Sequence, residues 1–158
     1  MNSYLTFKVV DEVFAVNVSH VMEIREYEIP KSVPRKIDFI AGLIEFREEI
    51  IPLINTGLNF NLGPVEASQN SVIIVLNLNK EGETDDYRVA VLVDAVSDVI
   101  EVGEDELKTI HHEYKPGYVA GSNKSGDTFV LVLDPDKVFT QNEVIEMNKF
   151  LSAVNKQG

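Results

Sequence analysis

Two short stretches of this 158-residue chain gather metal-ligand residue types: His111-His112-Glu113 and Asp134-Pro135-Asp136. Neither has the spacing that ligation needs. Adjacent residues on a strand point to opposite faces, and on a helix they diverge by about 100°, so His111 and His112 do not converge on one ion. His20 is the remaining histidine, and the chain has no cysteine. The solvated-loop reading is the stronger one. Asp134-Pro135-Asp136 begins like a calcium loop, but Lys137-Val138-Phe139 supplies neither the next oxygen ligand nor a glycine. A helix start accounts for both aspartates, with Asp134 as N-cap and Pro135 in the first turn. Ser71, Ser97, Ser122 and Ser125 have no nucleophile-elbow setting. There is no phosphate-binding glycine loop. No cofactor, no metal and no catalytic residue is therefore expected, and enzyme activity has no support in the residues.

A charged cluster inside an apolar stretch is more informative. GLIEFREEIIPLIN (42–55) holds Arg47 among Glu45, Glu48 and Glu49. With Glu48-Glu49 as a two-residue turn, Phe46 faces Ile51 and Ile44 faces Leu53. That arrangement gives one core face and one mixed face with a polar end. Glu23, in HVMEIREYEIP, and Arg47 both fall at strand or turn edges. They are candidates for an ion pair, with independent solvation of each as the alternative.

The elements that would position these residues are mostly strands. SYLTFKVV (3–10) and VFAVNV (13–18) alternate on either side of Asp11-Glu12 and read as a hairpin. Val18, Val21 and Met22 have the spacing of a short helical turn. Residues 55–70 are rich in Asn and Gly and read as loop. SVIIVLNL (71–78) reads as a strand buried on both faces, and YRVAVLV begins a matching one. The continuation to Val102 is ambiguous between strand and helix. YVAGSNKSGDTFVLVLD (118–134) is a further hairpin, its tip placed at residues 123–127. Thr140 and Glu143 form a capping box ahead of Val144, Met147, Phe150, Leu151 and Val154 at helical spacing. A mainly β barrel or sandwich with one terminal helix follows. The two halves are not clear sequence repeats.

Composition is compatible with this reading. The chain is 44% apolar and 25% charged, which suits one globular domain. The net charge of −12 disfavours nucleic acid and anionic lipid as partners. No apolar run is long enough to span a membrane, and the N-terminus does not read as a signal peptide. The absence of cysteine is compatible with a reducing cytoplasm.

In order along the chain, the segments resemble the CheW-like chemotaxis coupling family. EFREEIIPLIN followed by LNF is similar to that family's signature. In it, a strand ending in Asn-Leu-Arg-Gly leads into Ile-x-Pro-x-x-Asp-Leu-Arg and then a Phe. DFIAGLIEFRE, VAVLVDAVSDVIEV and YVAGSNKSGDTFVLVLDPDKVF resemble other segments of that family. The resemblance implies two intertwined five-stranded SH3-like β-barrel subdomains, at about residues 10–70 and 71–140 of a single domain spanning 1–158. A C-terminal helix covers 140–155. It also implies a cytoplasmic, non-enzymatic adaptor that couples chemoreceptor cytoplasmic tips to the regulatory domain of a CheA-type histidine kinase, possible recruitment to membrane receptor arrays included. The alternatives are a CheW-fold scaffold of another signalling pathway, or a small β-barrel ligand binder or enzyme. By motif, receptor-binding positions carry over to Val18, Val21, Glu23, Ile24, Gly42 and Arg47, and kinase-binding positions to Val72 and Ile73. The resemblance also favours the Glu23–Arg47 pair. The chain departs from the family where Glu48 and Glu26 replace glycines and where Asn55-Thr56-Gly57 replaces Asp-Leu-Arg.

Overall fold

The computed structural model describes residues 2–32, 37–79, 86–108, 118–125 and 128–157. His111-His112-Glu113, most of the 79–86 loop and the hairpin tip at 126–127 lie outside the described residues. Among the described residues there are ten strands: β1 (Asn2–Val9), β2 (Glu12–Asn17), β3 (Val21–Glu26), β4 (Ile40–Phe46), β5 (Glu49–Asn55), β6 (Val72–Asn79), β7 (Asp86–Val93), β8 (Ala95–Val102), β9 (Val119–Ser125) and β10 (Thr128–Leu133). A four-residue helix, α1 (Thr56–Asn59), follows β5, and α2 (Gln141–Gln157) ends the chain. The ambiguous 95–102 segment is strand. The helical turn expected at residues 18–24 stops at His20 as a 3-10 turn capped by Asn17, and Val21 and Met22 already belong to β3.

The strands form two five-stranded sheets, ordered β8-β1-β2-β10-β9 and β3-β6-β7-β5-β4. The first order becomes the second when β6 and β7 replace β1 and β2, and β3, β4 and β5 replace β8, β9 and β10. The chain is thus a tandem of two five-strand runs, β1–β5 and β6–β10, that exchange their leading hairpins. A division near residue 70 separates the runs in sequence, whereas each sheet takes strands from both.

Paired details follow the same exchange. The Asn55 N–H donates to the Phe39 carbonyl at 2.8 Å, and the Asp134 N–H donates to the Tyr118 carbonyl at 2.8 Å. A single bridge joins Lys31 to Leu43 in one sheet and Lys108 to Ser122 in the other. VMEIRE (21–26) in β3 occupies the place of VSDVIE (96–101) in β8. Among the described residues these single bridges, rather than full ladders, join the sheet edges. The subdomains are SH3-like but not closed barrels.

One apolar cluster runs through both sheets. It includes Phe7, Phe14, Ile54, Phe60, Leu76, Val91 and Leu133. Phe60, the phenylalanine of LNF, sits 4.9 Å from the Phe14 ring and 4.5 Å from Tyr118, centroid to centroid. Burying such side chains is worth roughly 1.5–3 kcal/mol each, so the seam between the sheets is a main store of stability. Helix α2 begins at the expected capping box: the Thr140 N–H donates to Glu143 at 2.7 Å and the Glu143 N–H to the Thr140 hydroxyl at 3.2 Å. It lays Val144 and Met147 into the core.

Candidate protein-contact surface

The β4–β5 hairpin sets the geometry of the charged cluster. Its turn is Arg47-Glu48, not the expected Glu48-Glu49. Phe46 faces Glu49 and Ile44 faces Ile51, a shift of two residues in register. A shift of two keeps every side chain on its face, so Ile44, Phe46, Ile51 and Leu53 are buried together as expected. Both turn residues are left-handed, with φ of 48° at Arg47 and 68° at Glu48. Two such residues make the turn that matches strand twist, normally at Asn or Gly. The register leaves Glu49 in the strand, where Arg88 of β7 grips it through Nε at 2.9 Å and Nη2 at 2.8 Å.

The expected Glu23–Arg47 pair does not form. Glu23 is held by Arg25, whose Nε donates to it at 2.9 Å. The two lie two apart on β3, and so on one face. Arg25 Nη1 also reaches Glu28 at 3.0 Å and the Glu45 carbonyl of β4 at 3.1 Å. One guanidinium thus spans the gap between the edge strands β3 and β4. Hydrogen bonding to Glu23 raises its pKa, outweighing the opposing effect of partial burial. Arg47 lies 4.8 Å above the Phe46 ring and, among the described residues, has no ion pair. The tight turn directs it over its own strand rather than across to β3.

Around this clasp, Val18 and Ile24 are exposed, and Val21 is half-buried. Gly42 is buried for a backbone reason. A Cβ there would sit 2.6 Å from the Lys31 carbonyl oxygen and 2.7 Å from Pro30 Cβ. Its glycine lets the 30–31 segment lie on β4. Val72 is half-buried opposite Glu26. Ile73 is fully buried, so its side chain serves the core. Sequence reasoning missed Arg25 as the clasp, although its two-residue spacing from Glu23 was visible. It also missed Arg88–Glu49, which joins residues 39 apart without a local signal.

The charged groups of the cleft beside α2 are partnered. A cleft of about 340 Å³ between α2 and the β5–β7 face is lined by Glu49, Tyr87, Arg88, Met147 and Ser152. Its charges are occupied by the Arg88–Glu49 pair and by Asp86, which accepts from Asn77 and Asn79. Those two amides also depress the Asp86 pKa. Burial pushes the Tyr87 phenol up to about 12. Asp134 stands at the start of a 3-10 turn (residues 135–137). Its carboxylate does not cap that turn but lies 3.6 Å from Lys137 Nζ, and Asp136 accepts the Asn79 N–H at 2.8 Å. No group of three potential metal ligands converges among the described residues. No described helix is long and apolar enough to cross a membrane.

The family model for the CheW-like domain matches residues 3–143. The chain belongs to the CheW-like family. It is 26% identical over 144 residues to the chemotaxis protein CheW of Klebsiella aerogenes, covering 89% of this chain and 83% of that one. It is 27% identical to the chemotaxis protein CheW of Thermotoga maritima, covering 90% of each. The crystal structure of the scaffolding protein TtCheW from Thermoanaerobacter tengcongensis superimposes with a TM-score of 0.74 at 23% identity, over 90% of both chains. That likeness bears out the fold: two SH3-like five-stranded sheets with a terminal helix.

Proposed function

We propose that this CheW-like chain is a cytoplasmic, non-enzymatic adaptor that couples chemoreceptor tips to a CheA-type histidine kinase, acting as one domain over residues 1–158. The observation that carries the reading is the β3 edge. With the 3-10 turn before it, it exposes Val18 and Ile24 beside the charged clasp. Exposed apolar side chains on an otherwise acidic surface suit a protein partner. Receptor binding is assigned to Val18, Val21, Glu23, Ile24, Gly42 and Arg47. Val18 and Ile24 make apolar contact, Arg47 stands at the hairpin tip, and Glu23 and Gly42 act by fixing the edge. Kinase contact is assigned to Val72, with buried Ile73 shaping the strand beneath it. Regulation then travels through small shifts of interfaces, with recruitment to membrane receptor arrays made by the receptor.

The test is reconstitution. Receptor signalling fragments and the kinase are mixed with and without this chain, and kinase autophosphorylation is measured. Receptor-dependent stimulation that requires the chain supports coupling. Binding of neither partner sinks it. Glu26 and Glu48, where the family has glycine, favour a second reading, a scaffold of the same fold serving another pathway. Kinase binding without receptor binding would select that reading.

A further inference from the structure

Ile29 is 88% exposed, the most exposed large apolar residue among those described. It is not on a free-swinging loop. On one side, Glu28 is tied to Arg25 at 3.0 Å. On the other, Pro30 lies over Gly42, and Lys31 exchanges two backbone hydrogen bonds with Leu43 at 2.9 and 2.8 Å. The isoleucine is therefore presented to water by a segment fixed at both ends. Exposing it has no folding benefit, and fixing it in advance removes ordering cost from any association.

Its surroundings are acidic. Glu23, Glu26 and Glu28 flank Ile24 and Ile29 along the same segment, and all three carboxylates are exposed. Arg25 pairs with Glu23 and Glu28 and reaches the Glu45 carbonyl, which leaves Glu26 as the carboxylate of this segment with no ion pair among the described residues. Resting on the adaptor reading above, we propose that Ile29 is a specificity-determining contact of the receptor-facing surface. Its counterpart is an apolar surface of the receptor tip, bordered by basic side chains that meet Glu26.

The experiment uses the full chain, a purified receptor cytoplasmic signalling fragment and the kinase regulatory domain. Affinities are measured for wild type, Ile29→Ser, Ile24→Ser and Glu26→Gln, each at low and high salt. Full burial of an isoleucine predicts that Ile29→Ser weakens receptor binding by about tenfold or more while kinase binding and the urea midpoint stay unchanged. Receptor affinity should fall with salt, and less steeply in Glu26→Gln. Loss with Ile24→Ser but not with Ile29→Ser overturns the role of Ile29 and leaves the adaptor reading standing. Salt-independent binding overturns the basic border. Wild-type binding to neither partner overturns both.

Discussion

The partner of Glu23 can be settled by a pair of double-mutant cycles. The first combines Glu23→Gln with Arg25→Met, and the second combines Glu23→Gln with Arg47→Met. Arg25 is about three-quarters buried at its side chain and Glu23 is 42% exposed. A fully exposed pair is worth about 0.2–1 kcal/mol, and hydrogen bonds to charged groups about 1.5–3 kcal/mol where buried. Solvent screening at Glu23 pulls the estimate to the lower part of that span, so the Glu23–Arg25 coupling should be about 1 kcal/mol. The single change Arg25→Met should cost more, about 1–3 kcal/mol, because Glu28 and the Glu45 carbonyl lose their donor too. Arg47, held over Phe46 at 4.8 Å, should couple to Glu23 by no more than the ~0.3 kcal/mol scatter of independent sites. Urea unfolding of all six proteins supplies the energies. A Glu23–Arg47 coupling larger than the Glu23–Arg25 coupling would refute the clasp and restore the pair expected from the family.

Three further outcomes follow from particular geometries. Glu48→Gly should stabilise the fold by about 0.5–1 kcal/mol, raising Tm by about 1–4 °C, because glycine adopts φ near 68° without a Cβ penalty; an unchanged or lower Tm would mean the turn is unstrained. Gly42→Ala should cost about 1–3 kcal/mol in urea unfolding, since its Cβ meets backbone oxygen at 2.6 Å, and it should loosen hydrogen-exchange protection at Lys31 and Leu43. Tyr87, raised from 10 to about 12, stabilises the fold in its neutral form. That contribution is complete below pH 10 and lost as pH rises toward 12. Tyr87→Phe should therefore flatten the alkaline fall in stability, and phenolate absorbance should show Tyr87 titrating late in the wild type beside Tyr118, which burial also raises, with the Tyr87 part missing from the variant.

What the sequence revealed was whatever repeats over two to four residues. Alternation marked the β1–β2 hairpin, the apolar run marked β6, and Thr140 with Glu143 marked the start of α2. The hairpin faces around Phe46 were also legible, because a two-residue error in register leaves faces unchanged. The turn itself was not, since its left-handed residues are Arg and Glu in place of the Asn or Gly that ordinarily announce it. Strand exchange left no local trace. Which hairpin joins which sheet depends on contacts between β2 and β10 and between β5 and β7, far apart in sequence. Only with the topology known do VMEIRE and VSDVIE read as one motif twice. At the candidate surface the expected Glu23–Arg47 pairing does not form. Family expectation favoured Arg47, whereas strand geometry, two residues to the same face, pointed to Arg25.

Glu48 brings these strands of reasoning together. Two adjacent non-glycine residues in left-handed conformation cost about 1–2 kcal/mol each. Something nearby must hold the turn. Arg88 grips Glu49 with two nitrogens immediately after it, and Arg47 rests on Phe46 immediately before it. Both contacts need the observed register. With Glu48-Glu49 as the turn, Glu49 would leave the strand that faces Arg88. The carboxylate that replaces glycine is therefore tolerated because its neighbours fix the backbone. In exchange it places a negative charge beside Arg47 at the hairpin tip. On the receptor-contact proposal, a partner approaching Arg47 would meet Glu48 as well, so charge would weigh in selection at this tip. Glu48→Gly should then raise stability and change partner preference together, whereas Glu48→Gln, which keeps the backbone demand, should change preference alone. Equal effects of both variants on stability would show that charge, not backbone conformation, is what Glu48 contributes to the fold.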